Sequence, residues 1–416
     1  MSLPSGFIDM IRRLIPAEAD EFLKSMELPP ATSVRLNSRK PGASFPDAIP
    51  VKWCSTGLYL PQRPLFTLDP LLHAGAYYVQ DASSMIYHEV TKRLVGRFSG
   101  ISGEEHQKVS LLDMCAAPGG KTTAMIDSLP DGSRVVANEY VGKRATILRE
   151  NIAKWGYPDV TVTNSDSSRF ATDKFDIIAV DAPCSGEGMM RKEPAAVAQW
   201  SESLIADCAS LQKEILTNAA EALKPGGFLI YSTCTFNRYE NEENAEFIAS
   251  RLGLESVDME FPEKWGIPHG IDTNLHVYRF MPHKTEGEGL FLAVFHKPGE
   301  WIPDNFSPMA KIKRNRAKGN DRHIAKGGKE SRKSQEEIPP IEEILSLDFD
   351  RTKFPEAEVS KDQAIAYLRR ESIILPPDLP KGLVVITYKN LPLGMAKNIG
   401  SRANNLYPKN WRILMQ

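Results

Sequence analysis

Residues 111–121 read LLDMCAAPGGK, and this stretch decides how the surrounding chain folds. The apolar run 109–112 ends at Asp113, which predicts a buried strand. The Pro-Gly-Gly at 118–120 predicts a tight turn, and a helical pattern covers 122–129. Glycines let a ligand approach the backbone, and the first N–H groups of a helix are free to bind it. The stretch therefore predicts a small-molecule site at the carboxyl end of a strand.

Strands and helices alternate from this stretch onward, which predicts an α/β fold with a parallel sheet. The predicted strands are 109–113, 134–138, 160–163, 177–181 and 228–231, with closing strands at 277–281 and 290–296. The predicted helices are 122–129, 142–155, 195–223 and 240–252. The third helix is expected to stop at the Lys-Pro-Gly-Gly of 224–227.

Smaller modules flank this predicted sheet. Residues 4–28 have helical periodicity and 32–37 alternate like a short strand, which predicts a small α+β module at the start of the chain. Residues 299–340 have the composition of a linker, and 311–333 carry ten Lys and Arg against two acids. Such a basic run is typical of nucleic-acid contacts or of a solvated linker. A final strand-rich module follows.

The composition is that of a globular protein, with 42% hydrophobic and 25% charged residues among 416. An apolar run long enough for a membrane helix is missing, and the first residues do not resemble a signal peptide, so a cytoplasmic protein is expected. Five cysteines are scattered without a C-x-x-C pair. We therefore expect reduced thiols and no bound metal.

Acidic residues at successive strand ends indicate the class of cofactor. The loop lacks the G-x-G-x-x-G of a dinucleotide site. Glu139 ends the second strand, Asp166 follows the third and Asp181 ends the fourth. Carboxylates bind ribose hydroxyls and an adenine edge, whereas they repel phosphate. The pattern therefore favours S-adenosylmethionine over NAD.

Two cysteines follow strands that should end at the same crevice. Cys184 lies in DAPCSGEGMMRK (181–192), and Cys234 lies in YSTCT (231–235). A thiolate beside a methyl donor suggests covalent activation of a pyrimidine, because addition at C6 makes C5 nucleophilic. Asp181 is placed to assist at N3 of the base. The residues alone leave open which of the two thiols is the nucleophile.

These motifs together resemble the Sun/Nop (NSUN) family of RNA (cytosine-5) methyltransferases. The matching segments are D-x-C-A-A-P-G-G-K-T at 113–122, D-A-P-C-S-G-x-G at 181–188, S-T-C-T at 232–235, N-E-x-N at 241–244, YYVQDASSM at 77–85 and RFMPHKTEGEGLF at 279–291. The C-terminal extension is most similar to the bacterial 16S rRNA branch. Its PLGMAKNIGSRANNLYPKNWR resembles a PUA-like RNA-binding module.

The resemblance implies a Rossmann-like methyltransferase sheet and assigns roles to single residues. Cys234 would be the nucleophile, and Cys184 would assist release of the product. The implied cofactor contacts are Cys115, Ala116, Ala117, Pro118, Gly119, Gly120, Lys121, Glu139, Asp166 and Asp181. The expected division is an N-terminal RNA-binding module (1–75), a methyltransferase domain (76–298), a basic linker (299–340) and a PUA-like domain (341–416).

The expected activity is methylation of C5 of a cytidine in RNA, with small-subunit rRNA as partner and the chain acting as a monomer. The target base must leave its stack to reach a thiol in a crevice. Arg191 and Lys192 could hold the RNA strand. The alternatives are tRNA as substrate, a non-catalytic RNA-binding or assembly factor, and methylation of a protein or small molecule.

Overall fold

The computed structural model describes residues 3–103, 107–304 and 338–414. Three sheets follow one another along these residues, and the central one is a mostly parallel α/β sheet. The predicted fold class is therefore confirmed. The basic run predicted at 311–333 lies outside the described residues. No helix in the described ranges is long and apolar enough to cross a membrane.

An antiparallel sheet in the order β2-β3-β1-β4 forms the N-terminal module. Its elements are α1 (Ser5–Leu14), α2 (Ala19–Glu27), β1 (Thr32–Leu36), β2 (Ile49–Pro50), β3 (Gly57–Leu60), α3 (Pro70–Ala74) and β4 (Tyr77–Val79). The apolar faces of α1 and α2 pack through Phe7 and Phe22 against Phe236 and Met281 of the central domain. Strand β4 completes this sheet beyond the boundary predicted at residue 75.

The central domain begins with a long helix, α4 (Ile86–Ser102). Its strands are β5 (Ser110–Asp113), β6 (Arg134–Asn138), β7 (Val160–Thr163), β8 (Phe175–Asp181), β9 (Leu223–Thr233), β10 (Glu255–Ser256), β11 (Val277–Phe280) and β12 (Leu290–His296). Its further helices are α5 (Gly120–Ile126), α6 (Gly142–Trp155), α7 (Pro194–Gln199), α8 (Glu202–Ala222) and α9 (Glu242–Arg251).

The strand order of the central sheet is β10-β12-β9-β8-β5-β6-β7, and β11 pairs with β12. Strands β5 to β9 pair in parallel, whereas β12 runs antiparallel to β9. The chain passes from β5 to β6 and β7 on one side, and then crosses to β8 and β9 on the other. Ligands bind at such a reversal of strand order, outside the carboxyl ends of the strands. The opening stretch occupies this position, between β5 and α5.

The prediction of one helix over 195–223 was wrong, because the chain leaves the helix at Trp200 and Ser201. The Ser201 hydroxyl accepts a hydrogen bond from the Leu204 N–H and caps α8. The Trp200 indole donates to Glu187 and its ring packs edge-on against Phe7, with centroids 6.1 Å apart. The helical period is interrupted because these distant partners bind Trp200.

The helix stop predicted at 224–227 is confirmed, because α8 ends at Ala222, but the strand predicted to begin at 228 already begins at Leu223 and includes these four residues. Lys224 lies 2.8 Å from the Asp176 carboxylate and 2.7 Å from that of Asp304. Trp301 donates to Asp176 and packs at a tilt against Phe98, with 4.6 Å between the ring centroids. The chain therefore still belongs to the central core at Asp304, beyond the linker boundary predicted at 299.

The C-terminal module has a sheet in the order β13-β14-β15-β16. Its elements are α10 (Ile341–Ile344), β13 (Glu356–Glu358), α11 (Lys361–Leu368), β14 (Gly382–Tyr388), β15 (Leu391–Asn398) and β16 (Ala403–Asn405). The buried Lys40 ammonium joins the modules, because it donates to the carbonyls of Ala74 (3.1 Å), Lys154 (2.7 Å) and Leu345 (2.7 Å).

Candidate active site

The carboxyl ends of β5, β6 and β8 bring Asp113 and the predicted acidic residues Glu139 and Asp181 to one edge of the sheet. Asp113 is the last residue of β5 and pairs in register with Ala179 of β8. Asp181 ends β8 opposite Ser232 of β9, and Glu139 follows the last residue of β6. Parallel pairing places these ends together. The cofactor loop and both thiol-bearing loops begin at this same edge.

The cofactor loop is closed by a hydrogen bond between its two ends. The Thr122 hydroxyl donates to the buried Asp113 carboxylate at 2.6 Å. Burial raises the pKa of Asp113 to about 7, although the bond from Thr122 opposes this shift. Gly119, at φ +111°, adopts a left-handed conformation that favours glycine. Residues 115–120 therefore form a fixed backbone turn around the site.

Asp181 is held by partners on two other elements. The Lys121 ammonium lies 2.8 Å from one Asp181 oxygen, and the Ser232 hydroxyl donates to the other at 2.7 Å. The Tyr87 hydroxyl donates in turn to Ser232 at 2.8 Å. Burial opposes the charge on Lys121, but Asp181 outweighs it and the pKa of the ammonium is raised; the nearby Cys234 adds to this shift. A carboxylate and a cation therefore have fixed positions beside Cys234.

Glu139 and Asp166 each bind a local turn as well as facing the strand ends. Glu139 accepts from the Val141 N–H at 2.8 Å and lies 3.5 Å from the Arg144 guanidinium. Asp166 accepts from both the N–H and the hydroxyl of Ser168, which lower the pKa of Asp166. Both carboxylates therefore stabilise the turn that follows their own strand.

The acidic side chains at this edge of the sheet fit S-adenosylmethionine. Its ribose hydroxyls, adenine amine and ammonium are hydrogen-bond donors or cations, and carboxylates accept from such groups. Glu139, Asp166 and Asp181 supply carboxylates at successive strand ends. A phosphate would be repelled by this arrangement. Within the described ranges, there is no group of three or more His, Cys, Asp or Glu that could hold a metal ion.

The two thiols predicted to share the crevice are in contact. The Sγ atoms of Cys184 and Cys234 lie 3.2 Å apart, and both side chains are half-buried. The hydrogen bond with Cys234, together with burial, raises the pKa of the Cys184 thiol well above its usual value. Cys184 therefore keeps its proton at neutral pH. Cys115, in the cofactor loop, also has its pKa raised by burial.

Two fully buried carboxylates that the sequence analysis missed hold these loops together. Glu187, in the Cys184 loop, accepts from the N–H groups of Phe236 (2.6 Å) and Asn237 (3.0 Å) in the Cys234 loop. Glu240, in the Cys234 loop, accepts from the Ser185 N–H at 3.0 Å. For Glu187 the available signal was an acid inside the small and apolar run CSGEGMM, where an unpaired charge is costly, whereas Glu240 lies in the polar run NRYENEEN, which gives no such signal.

Arg191 and Lys192, predicted to bind RNA, have protein partners in this structure. The Arg191 guanidinium donates to the backbone carbonyls of Leu28, Pro29 and Gly287. Lys192 pairs with Glu288. Arg191 thus connects the N-terminal module to the Cys184 loop. A contact of either residue with RNA stays a prediction.

A second interaction that the sequence did not indicate connects the N-terminal module to α5. Arg35 of β1 is fully buried and donates to Gln80 at 2.9 Å, to the Thr123 hydroxyl at 2.5 Å and to Asp127. Burial raises the pKa of Asp127 to about 6, and Arg35 opposes this shift. Helix α5, which follows the cofactor loop, therefore depends on a cation from the N-terminal module.

We expect Arg35→Met to destabilise the protein by about 3–5 kcal/mol, because it leaves Asp127 buried without its cation. Losing the cation raises the pKa of Asp127 further. A carboxyl whose pKa is raised in the folded protein lowers the free energy of unfolding at pH values above that pKa. This loss becomes smaller as the pH falls toward the lower pKa that the carboxyl has in the unfolded chain. In urea unfolding, the difference in free energy of unfolding between this variant and the wild type should therefore become smaller when the pH is lowered from 8 to 5.

The matched control is Arg39→Met. Arg39 pairs with Asp131 at 2.8 Å, but that carboxylate is 86% exposed. Exposed pairs contribute about 1 kcal/mol or less, so this variant should unfold close to wild type at both pH values. Equal losses in the two variants would contradict the special role of Arg35.

Comparison with known proteins identifies the family. The family description "16S rRNA methyltransferase RsmB/F" matches residues 101–296. The N-terminal domain of 16S rRNA methyltransferase RsmF matches 3–82, and the methyltransferase RsmF PUA domain matches 354–413. The resemblance found in the motifs is therefore confirmed, including the C-terminal PUA module.

Individual relatives extend over nearly the whole chain. Ribosomal RNA small subunit methyltransferase F of Pectobacterium atrosepticum is 30% identical, over 98% of this chain and 96% of the relative. The protein of the same name from Erwinia tasmaniensis is 28% identical, over 98% and 96%.

Solved structures from Pyrococcus horikoshii share the fold. A methyltransferase homolog protein is similar with a TM-score of 0.58 and 26% identity, over 71% of this chain and 95% of that one. The NSun6 protein, solved with SFG, has a TM-score of 0.59 and 20% identity, over 71% and 99%. The chain belongs to the 16S rRNA methyltransferase RsmB/F family, whose methyl donor is S-adenosylmethionine.

Proposed function

We propose that this protein methylates C5 of a cytidine in 16S rRNA, through a covalent bond between Cys234 and C6 of the base. The observation that carries the proposal is the contact of Cys184 and Cys234, 3.2 Å apart at the strand ends where the cofactor loop begins. Methylation at an exocyclic nitrogen or a ribose hydroxyl needs no thiol, since these atoms are already nucleophilic.

The first step is addition of the Cys234 sulfur to C6 of the cytosine ring. C5 is a poor nucleophile in the free base, and the addition turns it into an enamine-like carbon. The Lys121 ammonium interacts electrostatically with Cys234, which places a cation beside the attacking sulfur. Cys184 is less suited to this role because its raised pKa keeps its proton in place.

Asp181 is the group proposed to act at the pyrimidine N3. Uptake of a proton at N3 stabilises the adduct, because the negative charge develops along that side of the ring, and the Asp181 carboxylate would accept a hydrogen bond from the resulting N3–H. Ser232 and Lys121 bind its two oxygens and fix the carboxylate in place. Asp181 is also a proposed cofactor contact, so it would border both ligands.

S-adenosylmethionine supplies an electrophilic methyl group on its sulfonium sulfur. C5 takes this methyl and S-adenosylhomocysteine is left; the adduct then loses the C5 proton to water and expels the Cys234 sulfur. Cys184 assists the release, because a hydrogen bond from its thiol stabilises the departing thiolate. The proposed cofactor contacts are residues 115–121 with Glu139, Asp166 and Asp181.

The modules around the central domain are proposed to bind the RNA. The N-terminal module and the PUA module lie on either side of residues 101–296 in sequence, and Lys40 joins both to the central domain. The basic linker, Arg191 and Lys192 are proposed to add phosphate contacts, with the chain acting as a monomer.

The test is to incubate the purified full chain with S-adenosylmethionine and, separately, 16S rRNA transcript, assembled small subunits and bulk tRNA. Nucleosides are then separated by chromatography with mass detection. We expect 5-methylcytidine in one of the two small-subunit substrates. Methyl groups found only at N4 or on ribose would overturn the C5 chemistry, and 5-methylcytidine found only in tRNA would overturn the substrate.

A further inference from the structure

We infer that Cys184 and Cys234 are a site of reversible oxidation, at which a peroxide converts the two thiols into an intramolecular disulfide. Their sulfurs are 3.2 Å apart, although the residues are separated by 50 positions in sequence. A disulfide bond is about 2.05 Å long, so the sulfurs need to approach by little more than an ångström. The catalytic pair would thereby be switched off without being destroyed.

The two loops that carry the sulfurs are already joined by backbone hydrogen bonds. The Gly188 N–H donates to the Cys234 carbonyl at 2.9 Å, and the Ala182 N–H donates to the Ser232 carbonyl at 2.9 Å. A side chain at Gly188 would lie 3.0 Å from that Cys234 carbonyl, so the loops approach closely there. The loops therefore do not have to move together before the bond can form.

The carboxylates of Glu187 and Glu240 keep this arrangement in place from both sides. Both are buried; Glu187 accepts from two backbone N–H groups of the other loop, and Glu240 accepts from one, that of Ser185. Both sulfurs nevertheless belong to half-buried side chains at the crevice, so a molecule as small as hydrogen peroxide can reach them. The site combines fixed sulfurs with access from solvent.

The chemistry balances with a peroxide as the oxidant. The Cys234 thiolate attacks a peroxide oxygen, the O–O bond breaks, and hydroxide leaves as a sulfenic acid forms. The Cys184 sulfur then attacks the Cys234 sulfur, the S–O bond breaks, and a second hydroxide leaves. The two thiol protons convert both hydroxides to water. Two thiols are oxidised, and one hydrogen peroxide is reduced to two waters.

The other cysteines serve as internal controls. Cys54 is buried in the core and its Sγ contacts the Thr56 hydroxyl at 3.5 Å. Cys208 is half-buried on α8, and Cys115 belongs to the cofactor loop. The inference therefore predicts one specific pairing among the five cysteines of the chain.

The experiment treats the full chain with hydrogen peroxide in thiol-free buffer, followed by mass spectrometry and peptide mapping without reduction. We expect a mass decrease of about 2 Da, loss of two titratable thiols and a linked peptide pair containing Cys184 and Cys234, all reversed by dithiothreitol. Cys208→Ser should behave like wild type. Cys184→Ala, and Cys184→Ser as a second variant, should lose the bridge and carry a sulfenic acid trapped by dimedone.

The inference would be overturned by a bridge between other cysteines or by a bridge that persists in both Cys184 variants. It would also be overturned if the sulfurs gained oxygen atoms and no disulfide formed. The readout is the bond itself and does not depend on methyl transfer. The C5 proposal fails separately, in the nucleoside assay, so the two outcomes remain distinguishable.

Discussion

Cys234→Ser is expected to reduce methyl transfer to RNA by about three orders of magnitude or more, which is the scale of loss when a nucleophile is removed. A serine hydroxyl occupies almost the same space, but it is far less acidic than a thiol and does not add to C6. The backbone of the loop is held by Glu187 through Phe236 and Asn237, so the fold should be unchanged. Radiolabelled methyl transfer to small-subunit RNA measures the effect.

Cofactor binding separates this result from a general loss of structure. The proposed cofactor contacts do not include Cys234, so titration calorimetry with S-adenosylmethionine should give an affinity near that of the wild type. Cys208→Ser, on α8, is the matched thiol control and should keep full activity. Full activity of Cys234→Ser would contradict the assignment of the nucleophile.

Cys184→Ala is expected to trap the enzyme on its RNA. The nucleophile remains in this variant, so C6 addition and methyl transfer proceed. The hydrogen bond that Cys184 makes with the Cys234 sulfur is gone, and that sulfur becomes a poorer leaving group. A covalent protein–RNA complex should therefore accumulate from near zero to a major fraction of the enzyme. Denaturing electrophoresis shows it as a band of reduced mobility.

The band must depend on both the RNA and the nucleophile. Nuclease digestion should restore normal mobility, and the double variant Cys184→Ala with Cys234→Ser should give no band. If Cys184→Ala forms no band with an RNA that the wild type methylates, the release role of Cys184 is incorrect.

Much of the central sheet could be predicted because its signals are local. Strands β6, β7 and β12 and helix α6 have the predicted limits. Each combines a clear apolar period with a boundary residue, such as the left-handed Gly156 that ends α6. These signals do not need information from elsewhere in the chain.

The errors arose where a distant partner outweighs a local pattern. Helical periodicity continues through Trp200, but its indole binds Glu187 and its ring binds Phe7. Glycine and proline at 225–227 predict that the next strand begins only at 228, but the Gly226 N–H donates to the Lys297 carbonyl and β9 begins at Leu223. Burial and hydrogen bonding between distant segments are stronger than propensities of a few tenths of a kcal/mol per residue.

The opening stretch shows what the sequence by itself determined. Its apolar strand, terminal Asp113 and Gly-rich turn predicted a ligand loop. The acids at later strand ends indicated a methyl donor, and the two cysteines after neighbouring strands indicated thiols that face one crevice. Those inferences need only residue types and their order along alternating strands and helices.

Only the tertiary structure decided how the two thiols differ. Cys184 and Cys234 are equivalent as sequence features, since each follows a strand in small polar surroundings. Their contact across loops 50 residues apart, together with burial, raises the pKa of Cys184, whereas Lys121 lies near Cys234. A pKa depends on the solvent and charges around a group in space, which the order of residues does not specify.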